Sequence, residues 1–86
     1  MANSKQAIKR HRQSTKRTER NRYFMATART YLKRARLTLE EGDKDAAAAA
    51  CREVSSYLDH IASKGVIPRS RASRLKSRLA TRLNAL

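Results

Sequence analysis

The side chains able to do chemistry in this sequence are overwhelmingly cations. Lys5, Lys9, Arg12 and Lys16 recur at helical spacing, with Arg10, Arg17 and Arg20 on a neighbouring face. Arg22, Arg29, Lys33 and Arg36 form a second stripe, expected opposite the apolar seam of the same helix. Arg71, Arg74, Arg78 and Arg82 step by three, four and four along a later segment. A charge run on a solvated helix face is ordinarily laced with acids. Here the acids are nearly absent, and like charges four residues apart repel and weaken a helix. Neutralising phosphates is the simplest use of such a pattern.

Catalysis has little to work with. Two His, one Cys and seven acids are the remaining candidates, and an enzyme needs a base, a nucleophile or a metal held in a pocket. Cys51 falls on an apolar seam and reads as a small buried hydrophobe. With one cysteine there is no internal disulfide, and no Cys/His spacing points to zinc. His11 sits among cations, and His60 suits the negative end of a helix. Asp43, Asp45 and Glu53 read as helix caps and solvated face. The sequence therefore reads as non-enzymatic, with no catalytic residue, no cofactor and no metal.

The elements that position the cations follow from length and charge distribution. Eighty-six residues with 21 Lys/Arg and 7 Asp/Glu carry a formal charge of +14, enough for one small domain that repels itself. The charge is polarised: 8 cations and one acid in residues 1–22 give +7, and 7 cations without an acid in 64–86 give +7. Between them, 23–41 carries +2 and 42–63 carries −2. The Arg-rich start resembles a transit peptide in charge but lacks its apolar face, since Ala7 and Ile8 are the only apolar side chains between Asn3 and Arg22. No apolar run approaches the roughly 20 residues of a membrane span.

Apolar residues recur with helical rather than strand periodicity. Met25, Ala28, Leu32, Ala35 and Leu39 form one seam, and Gly42 ends it at a position that favours positive φ. Asp43 caps the next helix, whose seam is Ala47, Cys51, Val54, Leu58 and Ile61, with Ser63-Lys64-Gly65 as its stop. Pro68 opens a third helix whose seam is Ala72, Leu75, Leu79, Leu83 and Leu86. The expected fold is all-α, a three-helix bundle in one domain with helices at 3–41, 44–63 and 68–85. A second helix of about 20 residues spans roughly 30 Å. Folding back from Gly42, it covers only 22–41 of the first. Residues 3–21 are thus expected to project as a basic arm without an intramolecular partner.

Such an arm, charged nearly all round, suits insertion among packed RNA helices; a major-groove reader would show one base-reading face. Asn21 and Arg29 have the separation found in basic-zipper regions, but Tyr23, Phe24 and Met25 lie between them and the heptads stop at Gly42. A cationic membrane binder needs an apolar face that the arm lacks. A general nucleic-acid compactor fits the charge but would use groove-wedging residues, which the arm does not carry. Tyr23, Phe24, Tyr31 and Tyr57 are candidates for stacking on bases or for flanking the core.

Specific residue runs carry a resemblance. Residues 1–10 (Met-Ala-Asn-Ser-Lys-Gln-Ala-Ile-Lys-Arg), Arg29 to Arg34, Asp43 to Ala47, Ala62 to Ile67, Lys76 to Ala80 and Leu83-Asn84 occur in order along nearly the whole chain. This ordered set resembles the bacterial small-subunit ribosomal protein family numbered twenty. The resemblance implies a three-helix protein that binds 16S ribosomal RNA directly, with its arm among helices of the 5′ domain and the 3′ minor domain. It also implies a monomer within a bacterial-type or plastid ribosome, otherwise cytoplasmic, with few or no protein contacts and no membrane. Carried over by position, Asn3, Lys5, Lys9 and Arg10 lie in the arm, and Lys64, Lys76 and Arg78 in a second contact surface. The chain departs from the family at Pro68-Arg69-Ser70, where His-Lys-Asn is common, and at Arg71 to Arg74, usually richer in Ala. Arg69 and its neighbours keep the charge there.

Overall fold

A computed structural model describes residues 4–86; Asn3 lies outside them. Three helices follow in order: α1 (Lys5–Glu41), α2 (Lys44–Ser63) and α3 (Arg69–Asn84). Ser4 starts α1, its hydroxyl accepting from the Ala7 N–H at 3.2 Å. Gly42 ends it at φ 77°, its N–H bonded to the Leu39 carbonyl. Asp43 then caps α2 by accepting from the Ala46 N–H at 3.3 Å. After Lys64 the chain closes a Schellman turn: Val66 N–H reaches the Ile61 carbonyl, and Gly65 N–H reaches that of Ala62, both at 3.0 Å. Gly65 supplies the required positive φ of 78°. Pro68 stands one place before the position expected of it. Its extended ψ of 147° makes it the cap of α3, and its carbonyl receives the Arg71 and Ala72 N–H groups.

Helix α2 is the centre of the molecule. Both α1 and α3 pack against it, and they barely meet each other. The core consists of Ala28, Ala35 and Leu39 from α1, Ala47, Cys51, Val54, Leu58 and Ile61 from α2, Ala72 and Leu79 from α3, and Ile67 from the linker. Small residues on α1 let its backbone approach α2 closely. Met25, Leu32, Leu75 and Leu83, expected in the core, are only half-buried, because a gap stays open between α1 and α3. Leu86, expected to extend the third seam, lies beyond the helix and is 43% exposed. Ile67 escaped the periodicity because it belongs to no helix, yet it is 5% exposed at the α2–α3 junction.

At 1.5 Å per residue, 37 residues of α1 make a rod about 56 Å long, close to the 60 Å longest extent of the molecule. The radius of gyration is 17.3 Å, against about 12 Å for a compact domain of this length. The excess is the first half of α1. Every residue from Ser4 to Arg20 is exposed except Ala7, which is half-buried.

Candidate nucleic-acid interface

The cations occupy two surfaces. On the arm, Lys5, Lys9, Arg10, Arg12, Lys16 and Arg17 are all exposed. Helical spacing sets them in two adjacent strips over about half of the circumference rather than nearly all round it; Ala7, Ile8, His11, Ser14 and Thr15 occupy the other side. Glu19 is the only acid there. The hydroxyls of Thr15 and Thr18 donate back to the carbonyls of His11 and Ser14. Ile8, 47% exposed, is its one large apolar side chain.

The base of the arm is not free of the bundle, contrary to the expectation for residues 3–21. Arg20 donates to the Lys64 carbonyl at 3.5 Å, and the Asn21 side-chain oxygen is enclosed without a partner. The turn after α2 carries the chain past the last helical residue and onto α1, beyond the reach set by helix length alone. The Lys64 ammonium in turn lies 5.6 Å from the Phe24 ring centre.

The second surface is the gap between α1 and α3. It is a cleft of about 250 Å³ with a floor of Met25, Ala28, Leu32, Leu58, Ile61, Ile67 and Leu75, flanked by Arg29, Arg36 and Arg71. It continues past Leu32, Arg36 and Leu75 into a smaller hollow of about 140 Å³, where Arg78 and Arg82 join. Five arginines from two helices therefore line one groove. This corrects the expected placement of Arg29 and Arg36 opposite the apolar seam: they flank it. Arg22 and Lys33 are exposed on α1 outside the cleft lining, as is Arg74 on α3.

Two expected residues lie elsewhere on α3. Lys76 is held by Asp59 at 2.7 Å, the one ion pair among the described residues. Arg69 lines a separate groove between α2 and α3 with Asp59, Ala62, Ser63, Ala72 and Ser73. Three cations outside the sequence-based selection, Arg34, Lys44 and Arg52, are also exposed. Arg34 lies 6.0 Å from the Tyr31 ring centre, and Arg52 shares a shallow groove with Tyr31, Tyr57 and His60. Of the aromatic residues, Tyr57 is structural: its hydroxyl donates to the Phe24 carbonyl at 3.4 Å, and its ring packs 5.1 Å from Tyr31. Tyr23 is 69% exposed.

No cluster of His, Cys, Asp or Glu able to hold a metal occurs among the described residues, nor is any described helix long and apolar enough to cross a membrane. Cys51 is buried, and the loss of solvation raises its thiol pKa, opposed by the nearby Arg82 charge. A thiol held neutral in this way is a packing group.

Fold and surface together define a small, strongly basic all-helical protein, with one projecting basic rod and one arginine-lined groove. Comparison with known proteins gives the family. Residues 2–84 match the family described as Ribosomal protein S20. The chain is 46% identical over its full length to the small ribosomal subunit protein bS20 of Trichlorobacter lovleyi, covering 99% of that protein. It is 45% identical to the bS20 of Vibrio parahaemolyticus, with 100% of both chains covered. Against that of Coprothermobacter proteolyticus it is 45% identical over 98% of this chain and 96% of the relative. The chain belongs to the ribosomal protein S20 family, and is a structural component of the small ribosomal subunit rather than an enzyme.

Proposed function

We propose that this protein binds 16S ribosomal RNA directly and holds its helices together during subunit assembly. The observation that carries the reading is the arm: residues 4–20 run out from the bundle with seven exposed cations gathered on one broad face, without an ion pair among them. RNA helices repel one another through their phosphates. A cationic rod about 26 Å long between them removes that repulsion and releases condensed counterions, which supplies the driving force. The bundle sets the direction of the rod through α2. The cleft arginines form the second contact surface, and Lys64, Arg69 and Arg74 add phosphate contacts outside it. By family resemblance the RNA partners are the 5′ domain and the 3′ minor domain, and the protein acts as a monomer with few or no protein contacts.

The test of directness is a titration of the full-length protein into a protein-free 16S 5′-domain fragment at about 0.2 M salt, where generic phosphate binding is already weakened. One-to-one saturation without any other ribosomal protein is the expected result. A requirement for a second ribosomal protein before binding is seen would refute direct recognition.

A further inference from the structure

We propose that the cleft between α1 and α3 receives the base of one unpaired RNA nucleotide, with the cleft arginines holding its flanking phosphates. This deepens the RNA-binding reading above and rests on it. Phosphate neutralisation alone explains cations on a surface; it does not explain an open apolar floor beneath them. Met25, Leu32 and Leu75 stay half-buried there, although closing α3 onto α1 would bury them.

Charge explains why the cleft stays open. Arg29 and Arg36 stand on one side, Arg71, Arg78 and Arg82 on the other, and no acid lines either hollow. Closing it without an anion would bring like charges together in a partly desolvated site. An occupant must therefore be anionic at the rim and apolar-faced at the floor. A nucleotide joins these two properties in one unit: a flat ring with hydrophobic faces, linked to phosphate. Guanidinium groups suit both ends, since they pair with phosphate through a planar fork and stack on bases.

Size selects a single ring system. An apolar cavity of about 150 Å³ accommodates benzene, so about 250 Å³ takes a larger ring, while drug-sized ligands occupy roughly 300–1,000 Å³.

The experiment uses the full chain with methyl-labelled Leu and Ile, bound to the 16S 5′-domain fragment. In the unsubstituted complex, base protons of one nucleotide should show NOEs to the Leu32 and Leu75 methyls. Leu75→Phe fills the cleft while keeping every charge, so affinity should fall about tenfold, as for loss of one stacked base, with an unchanged salt slope. Leu32→Phe fills it from the other wall and serves if Leu75→Phe loses helicity by circular dichroism. Saturable RNA binding with no base-to-methyl NOE overturns the cleft proposal and leaves RNA binding standing. Unaltered affinity in folded, cleft-filled variants does the same. Absence of saturable binding by the unsubstituted protein fails the underlying reading, and the cleft proposal with it.

Discussion

Replacing six arm cations by Gln (Lys5, Lys9, Arg10, Arg12, Lys16 and Arg17) separates the arm from the bundle without shortening the chain. All six side chains are exposed and none makes an ion pair, so each is free to meet a phosphate. Each neutralised phosphate contributes about 0.7–0.9 to the slope of log affinity against log salt. Six such contacts amount to about 4–5 units of slope. From 50 to 200 mM salt, that is roughly a 300- to 1,000-fold smaller loss of affinity for the variant than for the natural chain. Gln resembles Lys and Arg in helix propensity, and pairs such as Lys5–Lys9 and Arg12–Lys16 repel at i,i+4. Helicity should therefore hold or rise slightly. The assay is equilibrium binding to the 16S 5′-domain fragment at four or five salt concentrations, with circular dichroism on the same samples. A slope change below one unit, with helicity retained, would show that the arm does not carry the phosphates assigned to it.

Other perturbations test the frame and the second surface. Asp59→Asn releases Lys76 from its 2.7 Å ion pair; because an exposed pair is worth about 0–1 kcal/mol, the melting temperature should barely move while the salt slope of RNA binding steepens by up to about one unit. Gly65→Ala places Cβ in open space but at φ 78°, so the cost is conformational, about 1–2 kcal/mol, read by urea denaturation; no loss would mean that the turn relaxes. Leu58→Ala removes one of the largest fully buried side chains and should cost about 2–5 kcal/mol, enough to unfold much of so small a core. The raised thiol pKa of Cys51 means that the folded state holds this proton more tightly than the unfolded chain. Its contribution to stability is full below the ordinary thiol pKa and is lost as pH rises through the raised value. Alkaline denaturation profiles of the natural chain and Cys51→Ala should therefore diverge only on the alkaline side.

Helix positions were readable because the apolar seams and both glycine stops are local signals. The seam of α2 matches the buried set Ala47, Cys51, Val54, Leu58 and Ile61 residue for residue. The projecting arm was readable by subtraction, since a 20-residue α2 cannot cover a 37-residue α1. Periodicity could not show how α1 and α3 stand to one another, which depends on both packing against α2. For that reason periodicity alone places Leu32 and Leu75 in a closed core, and Arg29 and Arg36 on an outer face. A local signal for the cleft does exist. On α1, Arg29 and Arg36 each follow a buried alanine, and on α3, Arg71 and Arg78 each precede a buried residue. Those positions flank the seams on the sides that come to face each other. Ile67 and the Arg20–Lys64 contact lie in or against an irregular turn, where spacing rules carry no information.

Specific recognition of ribosomal RNA goes beyond attraction to any polyanion. Competition binding at about 0.2 M salt tests it most directly, with the 16S 5′-domain fragment set against transfer RNA and duplex DNA. Saturable binding at least about a hundredfold tighter to the ribosomal fragment is expected, well inside the range that separates specific from generic nucleic-acid complexes. Equal, salt-labile binding to all three would contradict it and leave the charge of +14 as a generic attraction.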